Sequence, residues 1–260
     1  GGVPMNWMTE WPGAFPLFAA QGKGATITDV DGHAYVDFCL GDTGAMTGHA
    51  LPIVADAISK QARKGLTTML PTADAVWVAD DLARRFGLPK WQFTLSATDA
   101  NRFVLRYARH LTRRPKIVVN DWCYHGTVDE TLVVLDSAGR TLSRPGSIGP
   151  QIDPALTTRA VPFNDLGALE QALATGDVAC VLMEPALTNI GIVLPHSGYH
   201  SRVRELTREY GVLLAIDETH TISAGPGGCT REWGLEPDFL VIGKTIGGGV
   251  PVGAFGMTSE

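Results

Sequence analysis

The chain has 260 residues, 45% hydrophobic and 18% charged, with a formal net charge of −6. That length can bury a full core in one large domain or two small ones. The acidic balance, with no basic cluster beyond Arg113-Arg114-Pro115-Lys116, argues against a nucleic-acid-binding surface, and no run of about 18 apolar residues offers a membrane span. The four cysteines, Cys39, Cys123, Cys180 and Cys229, form no CxxC pair and have no histidine at zinc spacing. They read as reduced thiols of a cytoplasmic protein, with no metal site expected. No signal peptide is visible. The chain opens Gly-Gly-Val-Pro and stops at Met257-Thr258-Ser259-Glu260, so a portion of a longer polypeptide is expected.

In chain order, Ala25–Phe38 reads as a hairpin. ATITDV and HAYVDF alternate around Asp31-Gly32, a strong two-residue turn signal. A glycine-spaced loop, Gly41–Ala50, follows. Pro52–Gly65 and Ala73–Phe86 repeat apolar residues at helical spacing, and Pro52 suits a first helical turn. Trp91–Leu95 is a strand, Ser96–Asn101 (SATDAN) a turn with helix-start residues, Arg102–Leu111 a helix and Lys116–Asn120 a strand. Ala138–Pro154 carries Gly, Ser and Pro without regular pattern. The alternation resumes with helix Leu166–Ala174, strand Val178–Met183, helix Tyr199–Tyr210, strand Val212–Ile216 and a last strand at Phe239–Gly243. Short continuous apolar strands between amphipathic helices indicate an α/β fold with a mostly parallel sheet covered on both faces.

Ligands of open α/β sheets bind beyond the carboxyl ends of strands. Five such ends carry unusual residues: Ser96–Asn101, Asp121–Gly126, Glu184-Pro185, Asp217–His220 and Gly243–Thr245. Each has a bland reading, as a helix cap, a packed aromatic, a satisfied histidine or a surface lysine. The combination is more specific. A carboxylate ends one apolar strand and an amine ends the next. Upstream, a helix start can hold a phosphate through its amides and the Thr98 hydroxyl, and an aromatic side chain follows the next strand. Phosphate cup, stacking ring, acidic partner and imine-forming lysine are the parts that pyridoxal phosphate needs.

On these residues the chain resembles the class III aminotransferases, a family of fold-type I pyridoxal-phosphate enzymes. GKTIGGGVPVGAFG, LLAIDE, VLMEP, CYHGTVD and the opening GKGATITDVDGHAYVDF appear in that family's order. The similarity is closest to the subgroup of glutamate-1-semialdehyde aminomutase and the beta-amino-acid aminotransferases. The resemblance implies roles for individual residues. Lys244 forms the imine with pyridoxal 5'-phosphate, and Asp217 pairs with the pyridine nitrogen. Tyr124 stacks on the ring, with His125 behind it. Ser96, Ala97 and Thr98 form the phosphate turn. Glu184 lies near the cofactor hydroxyl, and the Thr219 methyl packs on the ring. Two departures stand out. The phosphate turn, commonly Ser-Gly-Thr-Glu-Ala-Asn, reads SATDAN, and after Asp217-Glu218 the chain reads THTISAG, without the arginine that often follows there. The implied organisation is an N-terminal segment, residues 1–50, and a large cofactor domain from residue 51 to 260, with a C-terminal small domain missing. The implied assembly is a homodimer with shared sites, acting on a small amino donor and a keto acceptor. The expected activity is aminotransfer. An aminomutase and a non-catalytic homologue are the alternatives, and substrate identity stays open.

Overall fold

The alternating stretch Ala25–Phe38 forms part of a three-stranded antiparallel sheet in the computed structural model, which describes residues 5–9, 13 and 16–259. Strand β1 (Ala19–Lys23) pairs with β2 (Thr26–Asp29), and β2 with β3 (Ala34–Val36). The expected two-residue turn at Asp31-Gly32 is instead a wider loop. The buried Asp29 carboxylate organises it, accepting from the amides of Asp31 (3.0 Å) and His33 (2.8 Å) and from the Tyr35 hydroxyl (2.9 Å). An aspartate side chain thus takes amides that a tighter turn would leave to backbone. Helix α1 (Pro52–Ala62) has its proline in the first turn, where a missing N–H costs nothing. These elements belong to one compact unit, Gly1–Met69; a second, Leu70–Glu260, contains every candidate cofactor residue.

The second unit runs α2 (Ala73–Phe86), β4 (Lys90–Thr94), α3 (Ala97–Thr112), β5 (Lys116–Asn120), β6 (Val133–Leu135), β7 (Thr141–Ser143), β8 (Thr158–Val161), α4 (Leu166–Leu173), β9 (Val178–Met183), α5 (Tyr199–Glu209), β10 (Leu213–Asp217), α6 (Gly228–Glu232), β11 (Phe239–Ile242) and β12 (Gly253–Met257). Seven strands form one sheet in the order β4-β12-β11-β10-β9-β5-β8. From β11 to β8 every pairing is parallel, while β12 runs antiparallel to both β11 and β4. The sheet is mostly parallel, as the pattern of apolar runs implied.

Strand alternation assigns the two faces. Ile117, Val119, Leu182, Ala215 and Val241 pack with Ala100, Val104, Leu105 and Ala108 of α3. Val118, Val181, Met183, Leu214 and Ile216 pack with Leu169 and Leu173 of α4 and Val203 and Leu206 of α5. On that second face Leu240, Ile242 and Ala254 meet Leu82 and Phe86 of α2. Successive side chains of a strand point to opposite faces, so burial on both sides requires an uninterrupted apolar run. VACVLM of β9 is buried throughout.

Four expectations need correction. The helix expected from Arg102 begins at Ala97, because Ser96 adopts extended backbone and its hydroxyl accepts the Asp99 amide at 3.2 Å. Ala138–Pro154 contains a regular element, β7, which pairs with β6. The last strand is Gly253–Met257, not Phe239–Gly243. GAFGM has weak strand propensity, and tertiary fit overrides it: a Cβ on Gly253 would lie 2.3 Å from the Ser96 carbonyl oxygen, so only glycine admits the close passage beside β4. Strand β8 (Thr158–Val161) also escaped the periodicity reading, since TRAV is too short and mixed to signal.

Candidate active site

The parallel strands present their carboxyl ends along one edge of the sheet. Two antiparallel steps through β12 return β4 to the same direction, so Thr94 and the turn after it reach that edge as well. Topology therefore gathers the expected residues: Ser96, Ala97 and Thr98 beyond β4, Tyr124 and His125 beyond β5, Glu184 beyond β9, Asp217 and Thr219 at β10, and Lys244 beyond β11. This is the edge at which open sheets bind ligands.

Asp217 is the last residue of β10 and is 4% exposed. Its Oδ2 accepts from Asn101 Nδ2 at 2.8 Å and pairs with His125 Nδ1 at 2.8 Å. Its Oδ1 accepts from the Thr219 amide at 3.0 Å and the Thr219 hydroxyl at 2.5 Å. Burial pushes the carboxyl pKa up, but the His125 hydrogen bond and charge, with Thr219 and Asn101, outweigh it and hold the carboxyl below its ordinary value. The same pairing acts on His125. Burial opposes its charge, while the Cys123 sulfur and the Asp217 carboxylate draw its pKa well above the ordinary value. The result is a buried anion fixed by four donors, on the α3 face of the sheet. His125 Nε2 and Asn101 Oδ1 are buried polar atoms without a protein partner. Such atoms are uncommon and call for a ligand or water.

The helix start lies beside this cluster. The amides of Ala97 and Thr98 are the first two of α3 and have no acceptor within the helix. The Tyr124–Thr127 loop folds onto them, and Thr98 Oγ1 accepts the Thr127 amide at 3.3 Å. At Gly126, with φ +78°, an added Cβ would stand 1.9 Å from that hydroxyl oxygen, so the loop tolerates no side chain there. The SATDAN departure is thus accommodated: Ala97 is ordinary helix and needs no positive φ, and Asp99 folds back on Ser96 at 3.1 Å. Tyr124 is 39% exposed, leaving aromatic surface available beyond the end of β5.

Lys244 stands in left-handed backbone at φ +51°, an uncommon conformation for a residue with a side chain. Residues held this way concentrate at functional sites. Its Nζ lies 2.5 Å from Nε2 of His220. His220 Nδ1 lies 2.6 Å from the Thr188 hydroxyl, which donates to Glu184 Oε2 at 2.5 Å. Glu184 is buried; burial raises its pKa, opposed by the His125 charge and the Thr188 hydrogen bond. The structure therefore links Lys244 and Glu184, both expected, through two residues outside the expected set, His220 and Thr188. Asn101 is a third addition. It lies one turn beyond Ala97 on α3, a spacing that places both on one helix face, and this was the available signal. For His220 the signal was the departure THTISAG itself. Thr188 left none.

Glu218, next to Asp217, points to the opposite face. It is fully buried and accepts from the Thr221 hydroxyl at 2.5 Å, the Cys229 amide at 3.2 Å and the Thr230 amide. It ties the segment after β10 to the start of α6 and takes no part in the edge cluster.

A mostly parallel seven-stranded sheet with this edge cluster is the architecture of fold-type I pyridoxal-phosphate enzymes. The aminotransferase class-III family matches residues 8–260, and the chain belongs to that family. A glutamate-1-semialdehyde-aminomutase from Pseudomonas aeruginosa PAO1 is 57% identical and superposes with a TM-score of 0.96 over 99% of this chain and 57% of that one. The same enzyme with a lysine-to-alanine substitution has been crystallised in complex with PMP. An omega-transaminase from Sphaerobacter thermophilus is 33% identical, with a TM-score of 0.90 over 96% of this chain and 59% of that one. Among curated relatives, a glutamate-1-semialdehyde 2,1-aminomutase from Sulfurihydrogenibium azorense is 40% identical over 252 residues, 95% of this chain and 59% of the relative. The chain thus spans less than two thirds of the length of these relatives. Among the described residues, no helix is long and apolar enough to cross a membrane.

Proposed function

We propose that the protein is a pyridoxal 5'-phosphate enzyme of the aminomutase type, moving an amino group between neighbouring carbons of glutamate-1-semialdehyde. The sequence reading favoured aminotransfer between two molecules. The 57% identity to an aminomutase moves the balance to the aminomutase alternative, and it is the observation that carries this reading. The residues of the edge cluster fit the cofactor. A fixed buried anion, two unpartnered polar atoms and the first amides of α3 lie at one edge of the sheet, which supports a charged ring and a phosphate there.

When bound, the cofactor supplies an electron sink for the carbon that loses its proton. The chain supplies the rest. Ser96, Ala97 and Thr98 hold the phosphate at the α3 N-terminus, where amides and helix dipole favour an anion. Asp217 keeps a proton on the ring nitrogen, because an adjacent negative charge favours the protonated form. His125 and Asn101 orient that carboxylate. Tyr124 and the Thr219 methyl would pack against the ring. Glu184 borders the substrate region. Lys244 would hold the cofactor covalently, and as a free amine it would move a proton between two carbons. We further propose a cytoplasmic homodimer with sites completed across its interface. The unpaired state of all four cysteines is consistent with a reducing compartment.

Two experiments test the reading. The full-length polypeptide mixed with pyridoxal phosphate should gain visible absorbance that Lys244→Ala abolishes; a silent wild type rejects a cofactor enzyme. Incubated with glutamate-1-semialdehyde alone, it should form the isomer carrying the amine on C1 and the ketone on C2. Turnover that instead demands a separate keto acceptor returns the assignment to aminotransferase.

A further inference from the structure

His220 occupies a position that none of the roles above uses, and its two ring nitrogens are both engaged. Nε2 faces the amine of Lys244 at 2.5 Å and Nδ1 faces Thr188 Oγ1 at 2.6 Å. The hydrogen-bond inventory orients this chain. Thr188 has a single hydroxyl proton, and it goes to the Glu184 carboxylate, which when ionised only accepts. Thr188 must then accept from His220, which places the imidazole proton on Nδ1 and leaves Nε2 with a lone pair aimed at Lys244. A buried carboxylate at one end and a lysine amine at the other are joined by three contacts of 2.5 to 2.6 Å.

We propose that Glu184, Thr188 and His220 form a proton relay ending on Lys244, with His220 as the positioning residue through which the lysine is deprotonated. The transfer balances at each link. The Lys244 ammonium gives a proton to Nε2 of His220. Nδ1 of His220 gives its proton to Thr188 Oγ1, and the original hydroxyl proton of Thr188 passes to Oε2 of Glu184. Lys244 becomes a neutral amine and Glu184 a neutral carboxylic acid. The imidazole changes tautomer, and the hydroxyl is regenerated. The reverse sequence returns the proton. Burial raises the pKa of Glu184, which suits it as the final proton acceptor. The ionisable groups around Glu184 are His220 at 4.0 Å, with His125 from beyond β5 and Asp217 from β10 acting electrostatically. His125 is bound to Asp217 and does not belong to the relay. The THTISAG departure thereby acquires a function: it brings an imidazole to the lysine.

The proposal rests on the cofactor reading, and the test separates the two. Cofactor-free, full-length protein is mixed with pyridoxal phosphate across a pH series. The rate of covalent capture at Lys244 is measured by borohydride trapping and peptide mapping. His220→Gln preserves hydrogen bonding to both neighbours but cannot pass a proton. It should move the midpoint of the capture profile up by about one pH unit, which is about tenfold slower capture on the acid side. Thr188→Val should do the same, and Thr188→Ser should recover the wild-type midpoint. Wild-type profiles in both His220→Gln and Thr188→Val would overturn the relay, as would a wild-type profile in His220→Gln alone. A wild type that captures nothing at Lys244 strikes the cofactor reading itself.

Discussion

Asp217 and Glu218 are neighbours at the end of one strand, are both buried carboxylates, and belong to different parts of the molecule. Asp217 faces α3, where its partners include side chains from two distant segments besides the adjacent Thr219, and where His125 and Asn101 keep unpartnered polar atoms. Glu218 faces α6, where its partners lie within twelve residues and satisfy it locally. Their pKa directions differ accordingly. The Asp217 carboxyl is held down despite burial, by a charged imidazole among its donors. Burial pushes the Glu218 carboxyl up, and the hydrogen bonds from Thr221, Thr230 and Cys229 only partly offset that. Burial alone therefore does not mark a functional carboxylate. A charged partner and an unfinished hydrogen-bond set mark a candidate one.

The sharpest test of this contrast exchanges charge for shape at each position. Asp217→Asn should lower turnover at least about 100-fold, the scale of losing an electrostatic partner at a reacting group. It should cost the cofactor-free protein less stability than Glu218→Ala does, because an amide oxygen still faces Thr219 and His125 can become neutral. Glu218→Ala should do the opposite. Leaving the amides of Cys229 and Thr230 without acceptors costs about 1–3 kcal/mol each, so roughly 2–6 kcal/mol of stability should be lost. The turnover of whatever folds should fall far less than in Asp217→Asn. Equal loss of turnover in both variants would erase the distinction.

Acid titration sharpens the same pair. A carboxyl held below its ordinary value contributes stability that is present above the unfolded value, 3.8 for Asp217, and is lost as pH falls through the folded value. Glu218, raised above its ordinary 4.5, has the opposite slope. The preference of the fold for its protonated form is fully present below 4.5 and fades as pH rises through the folded value. Denaturant midpoints of the cofactor-free protein should therefore fall less below pH 3.8 in Asp217→Asn than in the wild type. Glu218→Gln should flatten the curve above pH 4.5 instead.

This contrast also marks how far the sequence could be read. Both residues stand in LLAIDE, and strand alternation already puts them on opposite faces. The cofactor role proposed for Asp217 rests on its place beside Lys244, Tyr124 and the Ser96 turn, which are strand-end positions that a parallel sheet must bring together. Apolar runs buried on both faces made the sheet legible for the same reason. What was not legible depends on contacts distant in sequence. β12 is a strand because glycine fits between β11 and β4, and no local propensity signals that. Asn101 reaches Asp217 across 116 residues, and Thr188 bridges Glu184 to His220 only because two loops meet. At Asp31-Gly32 the organising group is the side chain of Asp29, not the backbone of a two-residue turn.

The smallest test uses one substitution in two places. Thr219 Oγ1 donates to Asp217 Oδ1 and Thr221 Oγ1 donates to Glu218 Oε2, each at 2.5 Å. Replacing either threonine by valine keeps the methyl and removes one hydrogen bond to a carboxylate, a loss of about 1.5–3 kcal/mol for a charged acceptor. On the Glu218 side that loss has nowhere to go but stability, because the group stays buried and has one donor fewer. Thr221→Val should shift the denaturation midpoint by close to the full amount. On the Asp217 side the Thr219 amide, Asn101 and His125 remain as donors. Thr219→Val should move stability by less than half as much. Its effect should appear as weaker binding of pyridoxal phosphate, measured by equilibrium titration, since a carboxylate with one donor fewer is harder to keep ionised beside the ring. Equal stability losses in the two variants, with unchanged cofactor binding in Thr219→Val, would make Asp217 as structural as its neighbour.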